Sequence, residues 1–133
     1  MKTEPDFKIG ENYLHRWWIL PRNRYFNIYL HRFYASDDDR ALHDHSYWNC
    51  SIILQGSYRE HFKTRSAIRK AGDIICRFTK TAHRIEILDG PVTTIFITGP
   101  RIREWGFHCP KGWRHWKDFT NPGDSGLIGR GCD

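Results

Sequence analysis

No run of apolar residues in this chain approaches the ~20 that a helix needs to cross a bilayer. The first residues, Met1 to Phe7, are polar and acidic and lack the apolar centre of a secretory leader. There is no internal repeat, no low-complexity tract and no long segment with a helical period. These absences argue against a helical bundle and a membrane-crossing helix, and we expect a cytoplasmic protein without a membrane partner. What cysteine lacks is pattern. Cys50, Cys76, Cys109 and Cys132 form no CxxC pair and no zinc-finger spacing. In a reducing compartment, Cys50 and Cys76 are expected to be small buried hydrophobes, and Cys132, in a Gly-rich stretch, a free thiol.

Apolar mass, by contrast, is ample. Hydrophobic residues make up 39% of the 133 positions and aromatics 15%, enough for one well-filled core. We expect a single domain over 1–133, with a core at about 13–100, an aromatic strap at 101–119 and a mobile tail at 120–133. The formal net charge is +6, scattered along the chain and not gathered into a stripe. That distribution argues against a nucleic-acid surface and suits solubility or attraction of a small anionic ligand.

The middle of the chain reads as short strands broken by turns. Tyr25 to Tyr34 is aromatic and β-branched, as strands prefer. Trp48 to Gln55 and Tyr58 to Lys63 flank Gly56-Ser57, a hairpin signal. Ile74 to Phe78, Arg84 to Leu88 and Val92 to Thr98 follow, separated by Ala71-Gly72-Asp73 and Asp89-Gly90-Pro91. Turn signals every eight to twelve residues predict an all-β sandwich or barrel. Residues 1–12 read as a loose lead-in. Trp113, Trp116 and Phe119 are spaced for a short turn of helix packed on the barrel.

The chemical signal is His43-Asp44-His45. On a strand, residues i and i+2 share a face, so the two imidazoles converge, while Asp44 points away toward solvent or a salt bridge. His83, after Gly72-Asp73 and a strand, is the candidate third ligand. Neutral imidazole binds Fe, Ni, Cu and Zn, and a three-His set leaves positions open for substrate.

These motifs resemble the cupin superfamily. Its first motif carries HxH, a strand and Gly, here His43-Asp-His45 and Gly56. Its second carries Gly-Asp followed by His, here Gly72-Asp73 and His83. The resemblance implies a double-stranded β-helix, or jelly-roll barrel, with a metal inside. Where many cupins place a fourth-ligand Glu, this chain has Asn49, so a three-His site is implied. A narrower likeness is to the thiol dioxygenases, in particular cysteine dioxygenase, across roughly Arg16 to Pro100. His43 to Cys50 is similar to that family's first motif, and His83-Arg-Ile-Glu86 to its second. Arg16 stands where that family binds a carboxylate. The likeness implies one divalent metal, Fe(II) first and Ni, Mn or Zn as alternatives. The chain departs from the family at Thr94, Phe96 and Thr98, where the family carries a Ser-His-Tyr relay. Without that Tyr, the family's crosslink to Cys50 cannot form.

Two functions follow as expectations. One is a mononuclear non-haem iron oxygenase-like enzyme acting on a small polar molecule, a thiol among the options. The other is a non-catalytic cupin that binds a small molecule or partner, with a structural or vestigial metal. Asn49 and Glu60 are candidates for the shell behind the ligands. Arg101, Arg103, Trp105 and His108 either cover a barrel end or line its entrance. A homodimer is expected, because Tyr13 to Trp18 and Trp105 to Phe119 are two aromatic segments to hide, and an exchanged N-terminal segment could hide one of them.

Overall fold

The structure is a computed structural model and describes residues 3–9, 13–36, 41–121, 124–128 and 130–132. Two long strands organise it, β5 (Asn49–His61) and β8 (Arg84–Thr98), which run antiparallel to each other. The Ile, Thr and Val that fill them suit a pleated surface. Both bend midway, where the register shifts between Ile53 and Tyr58. Gly56 makes the bend in β5 possible. Its φ is +83°, and a Cβ there would lie 2.6 Å from the Asp89 carbonyl oxygen and 2.8 Å from that of Pro91. A side chain would be strained by the backbone and blocked by its neighbours. The peptide before Pro91, at the matching bend of β8, is cis.

Because they bend, β5 and β8 each serve two sheets. In the first, β1 (Phe7–Ile9), β2 (Leu14–Trp18) and β3 (Asn27–Phe33) reach the second half of β8, then the first half of β5, then β7 (Ile74–Arg77). In the second, the first half of β8 pairs the second half of β5, which pairs β6 (Ser66–Lys70). Reciprocal backbone hydrogen bonds between His43 and His83 (2.8 and 2.9 Å) carry this sheet on to β4 (Leu42–His43). Beyond β4 lie β9 (Gly106–Cys109) and β10 (Gly112–His115). The sheets enclose Ile53, Tyr58, Ile75, Ile85 and Val92 as the core. A short helix, α1 (Trp116–Phe119), and the pair β11 (Thr120–Asn121) and β12 (Asp124–Ile128) complete the chain.

The all-β barrel with a short C-terminal helix is the architecture the sequence pattern predicts. Four local expectations are corrected. Gly56-Ser57 is not a hairpin, because the strand continues through it and turns only after His61. Phe7–Ile9 is not a loose lead-in, since it pairs with β2. The expected mobile tail is anchored within its described residues: the Gly131 amide donates to the Phe119 carbonyl (3.0 Å), and Cys132 packs on a cluster of Ala41, Phe107 and Phe119. The cysteines are paired, Cys50 with Cys76 and Cys109 with Cys132. Cys76 is exposed rather than buried, and register places it directly opposite Cys50. Pairing of this kind is invisible to a search for CxxC spacing, and it removes the argument from reduced cysteines to compartment. Trp105, Phe107, Trp116 and Phe119 fold onto their own barrel, so concealing the strap is no reason for a dimer.

Gly56→Ala is expected to cost about 2–4 kcal/mol, from left-handed strain plus overpacking against fixed backbone. Urea denaturation read by tryptophan fluorescence checks this, and a loss below about 1 kcal/mol would mean that the bend relaxes freely.

Candidate metal centre

His43 ends β4, His45 follows by two residues, and His83 stands directly before β8. The bridge between His43 and His83 sets them side by side. Ring centroids lie 5.2 Å apart for His43 and His45, 4.7 Å for His43 and His83, and 5.0 Å for His45 and His83. One nitrogen from each of the three comes within 4.8 Å of the others, so the cluster could hold a metal ion.

Behind His83 lies a buried carboxylate. Glu60 on β5 is completely inaccessible, and its Oε2 is 2.6 Å from His83 Nδ1. A carboxylate on Nδ1 places the proton there and leaves Nε2 as the lone-pair nitrogen, the usual arrangement behind a metal-bound imidazole. Arg77 donates to both oxygens of Glu60, from Nε at 2.5 Å and from Nη2 at 3.1 Å, and Arg69 Nε adds a bond of 3.0 Å. The remaining donors of Arg77 reach Asn49 Oδ1, Ser51 Oγ and the Tyr58 hydroxyl at 3.0, 3.1 and 3.3 Å. Asn49 therefore binds the arginine that holds Glu60.

Electrostatics favour neutral imidazoles. Burial pushes His83 down to about 3, against the opposing pull of Glu60. Burial, then the neighbouring His83 and His43, hold His45 well below the ordinary range. Burial raises the Glu60 pKa, but hydrogen bonds from His83 and Arg77 outweigh it and keep the carboxylate ionised. A neutral His83 donating to an ionised Glu60 satisfies both. Among the described residues the buried Nδ1 of His45 has no hydrogen-bond partner, and a bound ion is one way such an atom is satisfied. Neutral nitrogen donors, a carboxylate behind one of them and an unsatisfied ring nitrogen together fit a divalent metal.

The three histidines open onto a cavity of about 410 Å³. Among the described residues its lining includes Arg16, Arg22, Arg77 and Arg101 but no Asp or Glu. Arg16 stacks on Tyr29 at 4.2 Å and donates from Nε to His31 Nε2 at 2.8 Å. Burial, with the charge of Arg16, keeps His31 neutral and able to accept. Tyr47, which the sequence reading missed, lies beside Arg16, and burial raises its phenol above the usual range. Its position two residues after His45 was the available signal.

The strap divides its predicted residues between two tasks. Trp105 and Arg101 line the cavity. Arg103 and His108 instead reach Asp44, at 3.2 and 3.0 Å. Of the two expected placements for Asp44, solvent or a salt bridge, the structure shows the salt bridge. It is buried, and it also accepts from the Gly106 amide (2.8 Å) and Trp113 Nε1 (3.0 Å). The outward half of the His-Asp-His motif thus fastens the strap. Thr94 and Phe96, two of the three departures from the thiol-dioxygenase pattern, line the cavity, whereas Cys50 is tied to Cys76.

No family model matches the chain, and no curated protein matches it. Solved structures do. A cupin superfamily protein from Desulfitobacterium hafniense is 18% identical with a TM-score of 0.56, covering 71% of this chain and 84% of that one. A Klebsiella pneumoniae protein with a double-stranded β-helix domain is 17% identical with a TM-score of 0.55, covering 75% and 88%. The DMSP lyase DddQ from Ruegeria pomeroyi is 13% identical with a TM-score of 0.58, covering 75% of this chain and 54% of that one. The fold is the cupin double-stranded β-helix. These likenesses carry the fold alone.

Acid should destabilise the metal-free protein. His31, His45 and His83 have depressed folded-state values, so the stability they confer is complete above about 6.5 and is lost as pH falls below it. Glu60 is also depressed and adds a second loss below about 4.5. The urea midpoint is expected to drop steadily from pH 7.5 to pH 4, and a flat profile would contradict buried neutral imidazoles. Glu60→Gln leaves the buried Arg77 charge uncompensated and is expected to cost about 3–5 kcal/mol at pH 7.5.

Proposed function

We propose that this protein is a mononuclear metalloenzyme in which His43, His45 and His83 hold one divalent ion and the cavity admits a small anionic molecule. The observation that carries the reading is a three-histidine cluster opening onto a cavity with four arginines and no carboxylate in its described lining. When bound, the ion would supply a Lewis-acidic centre with open positions, and iron, favoured by the motif resemblance, would add dioxygen chemistry. Nickel, manganese and zinc are the alternatives.

The chain's own groups then have separate tasks. Arg77 is neutralised by Glu60, so Arg16 is the buried-side cation left to orient a carboxylate. Its stacking on Tyr29 and its bond to His31 restrict its motion, which reduces the entropy lost on binding. Tyr47 keeps its proton at neutral pH and can donate to the bound anion. Trp105, Phe107 and Phe119 wall the cavity with rings that exclude water and strengthen those polar contacts.

A second reading is a binding module with a vestigial metal, and Phe96 favours it. That ring stands where a proton-transfer group would serve an oxygenase, stacked on His31 at 4.7 Å. Lyase chemistry on the same barrel is a third possibility, since DddQ is a lyase of similar fold.

Elemental analysis of purified protein is expected to find about one ion per chain, with His83→Ala below about a tenth of that. Equal metal content in the two would remove His83 from the site. With Fe(II) restored under anaerobic conditions, small carboxylates and thiols are to be screened for oxygen uptake and for elimination products. Turnover by either route supports an enzyme, and ligand binding without turnover supports the module. In either case Arg16→Ala is expected to weaken the active anion about 10- to 100-fold, with Arg16→Lys intermediate.

A further inference from the structure

The loop between β2 and β3 is held more firmly than a chain reversal requires. Asn23 Oδ1 accepts from the Tyr25 and Phe26 amides (2.8 and 2.9 Å), and Asn23 Nδ2 donates to the Pro21 and Phe26 carbonyls (3.2 and 2.7 Å). Asn27, buried at the start of β3, grips the same residue from below. Its Oδ1 accepts from the Asn23 amide (3.0 Å), and its Nδ2 donates to the Asn23 carbonyl (2.7 Å). Pro21 fixes its own φ on the other side. The backbone of Arg22 is therefore pinned at both ends.

Arg22 and Trp18 are exposed and also line the cavity, so they stand at its mouth, with the guanidinium carbon 6.0 Å from the indole centroid. Arg16 lines the same cavity from a half-buried position. Burial raises the Tyr47 phenol, and the charges of Arg16 and Arg22 both oppose the rise, so both guanidinium groups act on one hydroxyl. The other two arginines of the lining are committed, Arg77 to Glu60 and Arg101 to Glu104. Among the described residues neither Arg16 nor Arg22 has a carboxylate partner.

Two uncommitted cations and a phenol that keeps its proton surround one space. A singly charged ligand would satisfy only one of the two cations where solvent screening is weak. We infer that Arg22 is the charge-selecting residue of the cavity, and that the molecule it admits is a dianion, either a phosphate monoester or a dicarboxylate. That role rests on the proposed reading of the cavity as an anion site. The planar fork of arginine matches both head groups, and a pinned loop loses little freedom when the ligand arrives.

Isothermal titration calorimetry of the purified protein at pH 7.5 tests this with two matched pairs, propyl phosphate against propyl sulfate and succinate against succinamate. Members of a pair share a shape and differ by one charge, since a phosphate monoester loses its second proton near pH ~6. At least one dianion is expected to bind about 10-fold or more tightly than its monoanionic partner, and the pair that shows this identifies the head group. Arg22→Ala is expected to reduce that ratio about 5-fold or more, with the monoanion's affinity changed by less than about 2-fold and Arg22→Lys intermediate. Any bound metal is common to all variants and cancels from the comparison. Arg24→Ala removes one charge from the same loop but outside the cavity lining, and should leave the ratio unchanged. Equal binding within both pairs by the wild type would overturn the assignment. So would a ratio that Arg22→Ala does not move, or one that Arg24→Ala lowers as much. If Arg16→Ala still weakens the monoanions, those results spare the anion cavity. Failure of all four ligands to bind, or binding indifferent to Arg16→Ala, would overturn the cavity reading and the role of Arg22 with it.

Discussion

A charged pair inside the barrel constrains everything around it. Glu60 and Arg77 are both buried, and each would cost several kcal/mol if left alone there. Each is therefore surrounded by partners. Arg77 uses its donors on Glu60, Asn49, Ser51 and Tyr58, and Glu60 receives Arg77, Arg69 and His83. The groups come from β5, β6, β7 and the entry to β8. Four chain segments must be in register before the pair is satisfied. A slip of one residue in any of them would turn its contribution to the opposite face. The ion pair thus specifies one arrangement of the barrel even if an apolar substitute could equal it in stability.

A second buried carboxylate does for the strap what Glu60 does for the barrel. Asp44 lies between the two histidines of the HxH motif and faces the opposite way. It gathers a backbone amide and the side chains of Arg103, His108 and Trp113. The strap that closes the cavity and the strand that carries His43 share this anchor. The pairing of β4 with β9 adds a backbone link to the same two segments, so strap position and ligand placement are set together.

The sequence disclosed most where local pattern and chemistry coincide. HxH, Gly-Asp and the recurrent turns predict an all-β barrel with His43, His45 and His83 as candidate ligands. Long-range pairing was less legible. Gly56 read as a hairpin because a glycine between two apolar strands carries the same local signal whether the chain reverses or bends. Its role depends on the Asp89 and Pro91 carbonyls more than thirty residues away. Cys50 and Cys76 meet only through register, and Cys109 and Cys132 only after the tail has folded back. Alternation correctly turned Asp44 away from its neighbours. It could not reveal that a strap from sixty residues on would bury it.

Charge balance ties the metal reading to the ligand reading. Glu60 and Arg77 cancel, and burial holds the His45 and His83 imidazoles neutral in the metal-free interior. Arg16 contributes one positive charge to the cavity wall, and a divalent ion would add two more. In a low-dielectric space those charges repel one another strongly unless an anion enters. The described lining of the cavity offers no carboxylate to supply it. A neutral substrate would leave the metal and Arg16 uncompensated across a small cavity. An anion spanning the two would relieve both, and its charge would do more for affinity than any apolar contact with the aromatic wall. The same protein scaffold without the metal would have only its arginines to offer, so ion and anion should bind with positive cooperativity, each raising the other's affinity by the same factor.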